Sequence, residues 1–587
     1  MPDPIPIELA TSGRELTEPR LDPEGNRVAF VDRRAGGASI AIVATAGGPE
    51  RIVTTAPAPA PGRGLGGGCF DWLPDGSGVV YAAADGELWL QRFDSGPRRL
   101  TSWERSCRAP CVAPDASFVA CVVDEAEVWQ IDLADGATRR LDDGGDGFCF
   151  DPAVVASSAR VVWQAWSAPS MPWDDACAVT YDRTTGAIDR WRPDSGAVQQ
   201  PRFLPDGTAV CVHDGSGWAN VVVGGEAPVP ERFEHAGPSW GMGQRSFAPS
   251  PDGTQIAFTR NESGFGRLCV APIGGGEATD VGRGVHGQLS WAGDSLVALR
   301  TGARTPTQIV RYSVPAFERT VLAVGPAVQW DAVDLPEPEP FEVDHDGVTL
   351  HARRYPASEG RMLCWVHGGP TDQWQVDFRP RIAYWWSRGW DVLVVDPRGT
   401  TGHGRAYQRA LNGAWGRLDV DDTAAIVAAA HRAGWAQPAT TIVIGGSSGG
   451  LTVLGMLADH GGLVAGGVAS YPVSDLMALT EATHRFEAHY TESLVGPVAD
   501  EARYAELSPI HRADHISVPL LVFHGSDDPV VPIAQSEALV ARIRAAPRAH
   551  VEYIVYEGEG HGFRDPANQR DEYERTEAFV STLLPDR

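Results

Sequence analysis

From about residue 20 to 325, apolar and polar positions alternate in short runs and one phrase keeps returning. It reads LDPEGNRVAFV from Leu21, WLPDGSGVVYAA from Trp72, VAPDASFVACVV from Val112 and FDPAVVASSARVVWQAW from Phe150. It returns as FLPDGTAVCVH from Phe203, PSPDGTQIAFT from Pro249 and WAGDSLVALR from Trp291. Each copy is a Pro-Asp-Gly type turn followed by a period-two apolar strand, as a hairpin requires. The copies recur about every 40–50 residues, the spacing of four-stranded propeller blades. Seven copies predict a seven-bladed β-propeller. The fourth and seventh are degraded, which softens the blade boundaries there. A β-sandwich array would not repeat one turn at this period.

After DLPEPEPFEV (Asp334–Val343), which reads as a linker or domain seam, the rhythm changes. Continuous apolar runs at 362–366, 391–396, 441–445, 466–471, 520–525 and 551–558 predict buried strands. Residues 421–434, 533–546 and 571–584 predict helices. Buried strands alternating with helices imply a doubly wound, mostly parallel sheet covered on both faces. The expected organisation is an N-terminal segment over 1–20 that packs on the second domain, a propeller over 21–330, and an α/β domain over 331–587.

Within that second half, TIVIGGSSGGLTVLG (Thr441–Gly455) runs from strand through glycines to helix, the setting of a nucleophile elbow. Either serine fits G-x-S-x-G: Ser447 between Gly445 and Gly449, or Ser448 between Gly446 and Gly450. A strand running through Ile444 favours Ser447 at the tip, because Ser448 would lengthen the exit by one residue. A serine hydroxyl needs a base oriented by a carboxylate, and in this fold class the chain order is Ser, Asp or Glu, His. LLVFHGSDDPVVP places Asp527 and Asp528 after one strand, and VEYIVYEGEGHGF places His561 after the next. The oxyanion needs N–H donors. The residue after the nucleophile supplies one, and the Gly368–Gly369 loop of MLCWVHGGP supplies the other. His367 in that loop reads as loop-shaping rather than as the base.

Composition narrows the chemistry. The 587 residues carry a formal charge of −27, which disfavours nucleic acid and anionic membranes as partners. All 49 basic residues are arginine, which excludes a lysine Schiff base and a lysine-dependent phosphate loop. The nine cysteines are scattered without paired C-x-x-C sets, so neither a zinc site nor a disulfide framework is expected. No cofactor and no metal are expected. No secretory signal or membrane-span pattern stands out, which makes the cytoplasm the default compartment. A homo-oligomer is left open.

Six motifs in order, HGGP (367–370), DPRGTTGHGRAY (396–407), WGRLDVDD (415–422), GGSSGG (445–450), HGSDDPVVPIAQS (524–536) and EGEGHGF (557–563), resemble the prolyl oligopeptidase family of serine peptidases. The resemblance covers nearly the whole chain, a propeller followed by an α/β-hydrolase domain. It implies a triad of Ser447, Asp528 and His561, with Ser448 and Gly369 as oxyanion donors. Many relatives bind the substrate through an Arg or Asn two positions after the catalytic Asp; here that position is Val530, which has no donor. This departure favours an aminopeptidase releasing one residue with a free amine from short peptides or aminoacyl amides. The alternatives are an acylaminoacyl-peptidase or dipeptidyl-peptidase, an esterase or antibiotic amidase on the same fold, or a non-catalytic propeller binding protein. By the same resemblance Val473, Leu476, Phe486 and Tyr490 line the side-chain slot. Glu487 and Glu234 are the candidate carboxylates for the substrate amine.

Overall fold

The computed structural model describes residues 3–34, 36–62, 66–546 and 550–585. The seven turn copies become the first hairpins of seven antiparallel sheets, which span residues 15–52, 70–99, 107–140, 148–191, 198–223, 247–283 and 285–324. The left-handed residue of each turn is Gly25, Gly76, Ala116, Ser158, Gly207, Gly253 or Gly293. In the first, Asp22 Oδ1 accepts the N–H groups of Asn26 and Arg27, the usual task of an aspartate in such a turn. Among the described residues, six of these sheets have four strands and the fifth has three.

Every blade uses consecutive strands, so the ring closes without strand exchange. Leu16, Leu21, Val28 and Phe30 of the first blade pack against Val297, Leu299 and Ile309 of the last. The Arg14 N–H donates to Gly325 O at 3.1 Å, and Gly13 bridges Pro326. The first strand begins at Glu15, inside the segment assigned from sequence to the other domain. A bulge between Thr17 and Arg20 breaks its period-two pattern and hid it.

The other compact unit holds the N-terminal segment to Ser12 together with residues 329–374 and 379–587; residues 375–378 group with the propeller. Its sheet has eight strands: β1 Glu339–His345, β2 Val348–Tyr355, β3 Arg361–Val366, β4 Trp390–Asp396, β5 Thr441–Gly446, β6 Gly466–Ser470, β7 Leu520–Gly525 and β8 Val551–Tyr556. Their order is β1-β2-β4-β3-β5-β6-β7-β8; the pairings β1–β2 and β2–β4 are antiparallel and all the others parallel. The supposed linker therefore already contains β1. Strand β4 is buried along its whole length, as a strand covered on both faces must be.

The N-terminal segment is fastened to this unit. The Ile5 N–H donates to Ser387 Oγ at 3.0 Å and Arg388 donates to Ile5 O at 2.9 Å. Among the described residues no helix is long and apolar enough to cross a membrane.

Candidate functional site

The triad and oxyanion candidates lie in the loops after β3, β5, β7 and β8, and the slot candidates of this half in the segment after β6, all at the carboxyl ends of the parallel strands, where this class of sheet places its sites. Ser447 sits between β5 and the helix Ser448–Asp459, with φ 57° and ψ −122°. A non-glycine residue in that region is strained by roughly 1–3 kcal/mol and is held there by its surroundings. Gly445 and Gly449 supply the hold. A methyl group on Gly445 would fall 2.4 Å from Gly449 O, and one on Gly449 would fall 2.5 Å from Val366 O. Ser448 opens the helix instead; its hydroxyl is buried and accepts the Trp415 indole N–H at 3.0 Å.

Asp528 and Asp527 differ sharply. Asp528 Oδ2 accepts the His561 Nδ1–H at 2.7 Å, while Oδ1 accepts the N–H groups of Val530 and Val531 at 2.9 Å each. Burial raises the Asp528 pKa, but the His561 hydrogen bond and charge and the two N–H groups outweigh it. The net position is below the usual carboxylate range. Asp527 is exposed and receives the Ser526 hydroxyl.

The acid loop is shaped from inside by His524, which sequence reasoning passed over although it stands in the HGSDD motif. Its Nε2 lies 2.8 Å from Val531 O, which can only accept, so Nε2 carries the proton; its Nδ1 lies 2.7 Å from Ser536 Oγ. Burial lowers the His524 pKa. The His561 ring lies 4.6 Å from the Tyr471 ring, and a methyl group on Gly446 would sit 3.0 Å from that same tyrosine. The base and the nucleophile turn thus share one aromatic neighbour.

The loop after β3 runs beside the nucleophile, since a methyl group on Gly368 would lie 3.5 Å from Ser447 Cβ. Gly369 has φ 122°. His367 is buried; its Nδ1 is 2.7 Å from Gly368 O and its Nε2 2.8 Å from Thr400 Oγ1. Both ring nitrogens are engaged in holding the loop.

A cleft of about 320 Å³, open to solvent, is lined by Gly369, Ser447 and Ser448 together with Val473, Glu487 and Tyr490. Trp415, Leu479, Thr483, Thr491 and Val531 complete the lining, none of them singled out from sequence. Leu476 and Phe486 are not in it. Leu476 opens the helix Leu476–Ala482 as a fully buried residue, and Phe486 stacks beside His484. Glu487 lies 3.2 Å from His484 Nε2, an ion-pair distance; that buried nitrogen has no hydrogen-bond partner, so the contact is not a hydrogen bond. Glu234 belongs to the propeller unit, is 6% exposed and forms a backbone bridge with Asn261.

Among the described residues, no three His, Cys, Asp or Glu side chains converge as a metal site would need. All nine cysteines are free.

Residues 376–586 match the prolyl oligopeptidase family (Peptidase_S9). Dipeptidyl peptidase family member 6 of Caenorhabditis elegans is 33% identical over 238 residues, 39% of this chain and 32% of that protein. The chain spans about a third of the length of the curated relatives it matches. Likeness to two solved structures runs further. A puromycin-hydrolyzing peptidase of Mycobacterium tuberculosis is 26% identical with a TM-score of 0.91, covering 100% of this chain and 98% of that one. A puromycin hydrolase mutant complexed with PGG is 27% identical with a TM-score of 0.89, over 100% and 98%. Residues 376–586 thus form a prolyl oligopeptidase family domain, preceded in the chain by a seven-bladed propeller.

Proposed function

We propose that the chain is a serine exopeptidase that hydrolyses amide bonds of short peptides or aminoacyl amides, releasing a single N-terminal residue. Ser447 Oγ attacks the scissile carbonyl while His561 takes its proton and Asp528 holds the imidazolium. The N–H groups of Ser448 and Gly369 receive the developing oxyanion. His561 returns the proton to the leaving amine, and water repeats the sequence on the acyl-enzyme.

The observation that carries the narrower reading is Glu487. Its carboxylate lines the same cleft as Ser447 and is met by His484 outside hydrogen-bond geometry. Acceptor positions are thereby left for a ligand. A cation is the group that repays an incompletely paired, part-buried carboxylate. Val530 has an aliphatic side chain where relatives carry a donor for a second residue.

A panel of chromogenic amides separates the readings: free aminoacyl, N-acylated aminoacyl and dipeptidyl. The free aminoacyl amides are expected to have the highest kcat/KM. Preference for the N-acylated set would make the chain an acylaminoacyl-peptidase, and preference for the dipeptidyl set a dipeptidyl-peptidase.

A second reading, an amidase acting on puromycin, is favoured by the full-length likeness to two puromycin-hydrolysing proteins. Puromycin is itself an aminoacyl amide with a free amine, so it would use the same cleft. Its hydrolysis is measured beside the panel.

A further inference from the structure

The loop that carries the Gly369 N–H is secured from two directions. From one, His367 bonds Gly368 O and Thr400, and the Thr401 N–H donates to Asp372 O at 3.1 Å. From the other comes Tyr490. Its hydroxyl donates to Thr371 Oγ1 at 2.7 Å and accepts the Thr371 N–H at 3.0 Å, so one oxygen clamps one residue at two points. Thr371 and Tyr490 are 3% and 4% exposed, and water cannot readily replace either bond.

Thr371 is two residues beyond Gly369. The turn between them is cramped: a methyl group on Gly369 would lie 2.9 Å from Thr371 N and 3.2 Å from Asp372 Cβ. Between them stands Pro370, whose ring fixes its φ, so a movement of Thr371 is passed back to the Gly369 backbone. The Gly369 N–H is aimed by that same backbone. The family resemblance gave Tyr490 the part of an apolar wall. Its ring does line the cleft, but its oxygen reaches past the wall to the loop.

We infer that Tyr490, through Thr371, is a positioning residue for the Gly369 oxyanion donor; this rests on the serine hydrolase reading above. Such a residue acts on the transition state, in which the oxyanion exists, and little on the bound ground state. Without the hydroxyl, the two bonds that Tyr490 makes to Thr371 are gone and the loop relaxes toward other bonds.

The test compares Tyr490→Phe, Thr371→Val, Thr371→Ser and the double variant Tyr490→Phe/Thr371→Val. An aminoacyl p-nitroanilide reports kcat and KM. An aminoacyl aldehyde, whose adduct with Ser447 places an oxygen at the donors, is compared with the matching amino alcohol, which forms no adduct. Tyr490→Phe should lower kcat about 10- to 100-fold, somewhat less than deletion of a whole oxyanion donor, and change KM by less than about twofold. Aldehyde affinity should fall by the same factor as kcat while alcohol affinity holds. Thr371→Val should show the same pattern, Thr371→Ser should restore most of it, and the double variant should be no worse than Tyr490→Phe. Raised KM with unchanged kcat, equal weakening of aldehyde and alcohol, or additive losses would reduce Tyr490 to a wall and overturn the inference. Fluorophosphonate labelling of the wild type is run in parallel. A wild type that is not labelled at Ser447 overturns the hydrolase reading and the clamp with it. A labelled wild type with full kcat in Tyr490→Phe overturns the clamp alone.

Discussion

Replacing Asp528 by Asn puts the triad to a quantitative test. Its Oδ1 accepts two backbone N–H groups, and its Oδ2 accepts one proton from His561 Nδ1. An asparagine has one oxygen and one NH2 group to share between these sides. Two donors against one hold the amide oxygen at the Oδ1 position, because the reversed amide would set its NH2 against both N–H groups. The NH2 then faces His561 Nδ1, which must become the acceptor. The histidine proton moves to Nε2, the nitrogen that has to accept the Ser447 proton. Catalysis loses the correct tautomer and the charge that stabilises imidazolium. The equivalent change in a serine protease of unrelated fold costs about 10,000-fold in kcat, or roughly 5 kcal/mol at 1.36 kcal/mol per tenfold. The same order is expected here. Asp527→Asn disturbs one exposed hydrogen bond, from Ser526, and should change kcat by less than about twofold. The assay is initial-rate kinetics on an aminoacyl p-nitroanilide, with circular dichroism to confirm folding. An Asp528→Asn enzyme retaining more than about a tenth of wild-type kcat would refute the argument, as would equal losses at the two positions.

Ser447→Ala should abolish fluorophosphonate labelling and lower kcat by about a millionfold. Ser448→Ala should keep kcat within about tenfold, while thermal unfolding shows a loss of about 1–3 kcal/mol from the unpaired Trp415 N–H. Glu487→Gln should raise KM for free-amine substrates about 10- to 100-fold and leave N-acylated ones alone; an unchanged ratio would acquit Glu487. Glu234→Gln is the parallel comparison. Burial raises Asp419 to about 6, against the Thr452 and Gly416 hydrogen bonds it receives. Between about pH 4 and pH 6 the folded state keeps a proton that the unfolded state has released, so stability falls as pH rises through that window, by about 3 kcal/mol in all. Asp419→Asn should flatten this slope in denaturant titrations at pH 4, 5, 6 and 7, and a slope that persists would assign it to another group.

The repeated turns were legible because each joins a local signal, the Pro-Asp-Gly type turn, to an apolar strand that is buried over most of its length in most blades. The fifth sheet lacks its outer strand where Pro228 and Pro230 remove backbone donors just after Val223. Strand β1 was hidden for a related reason. It is an exposed edge strand with Pro340 inside it, and Pro/Glu alternation at an edge looks like a linker. In the site, the elbow glycines could be read because crowding permits no other residue at their positions. Trp415, Thr371 and Thr483 could not. Trp415 and Thr483 line the cleft and Thr371 bonds its Tyr490; the contacts run across 33 residues for Trp415 to Ser448 and 119 for Thr371 to Tyr490, and no local spacing encodes such a contact.

The fastening of Ile5 to Ser387 has a consequence in time. The two residues are 382 apart in the chain. At roughly 5–20 residues per second, a ribosome needs roughly 20–80 s to make the stretch between them. The propeller is complete within that interval. Its ends meet at Gly13 and Pro326, so it can round off while the leading segment still has nowhere to dock. Birth order therefore places the first residues of the chain among the last to settle. During synthesis, Ile5 is an apolar anchor in waiting, and a nascent chain stalled before residue 387 should expose the leading segment to proteases while the finished propeller behind it resists them.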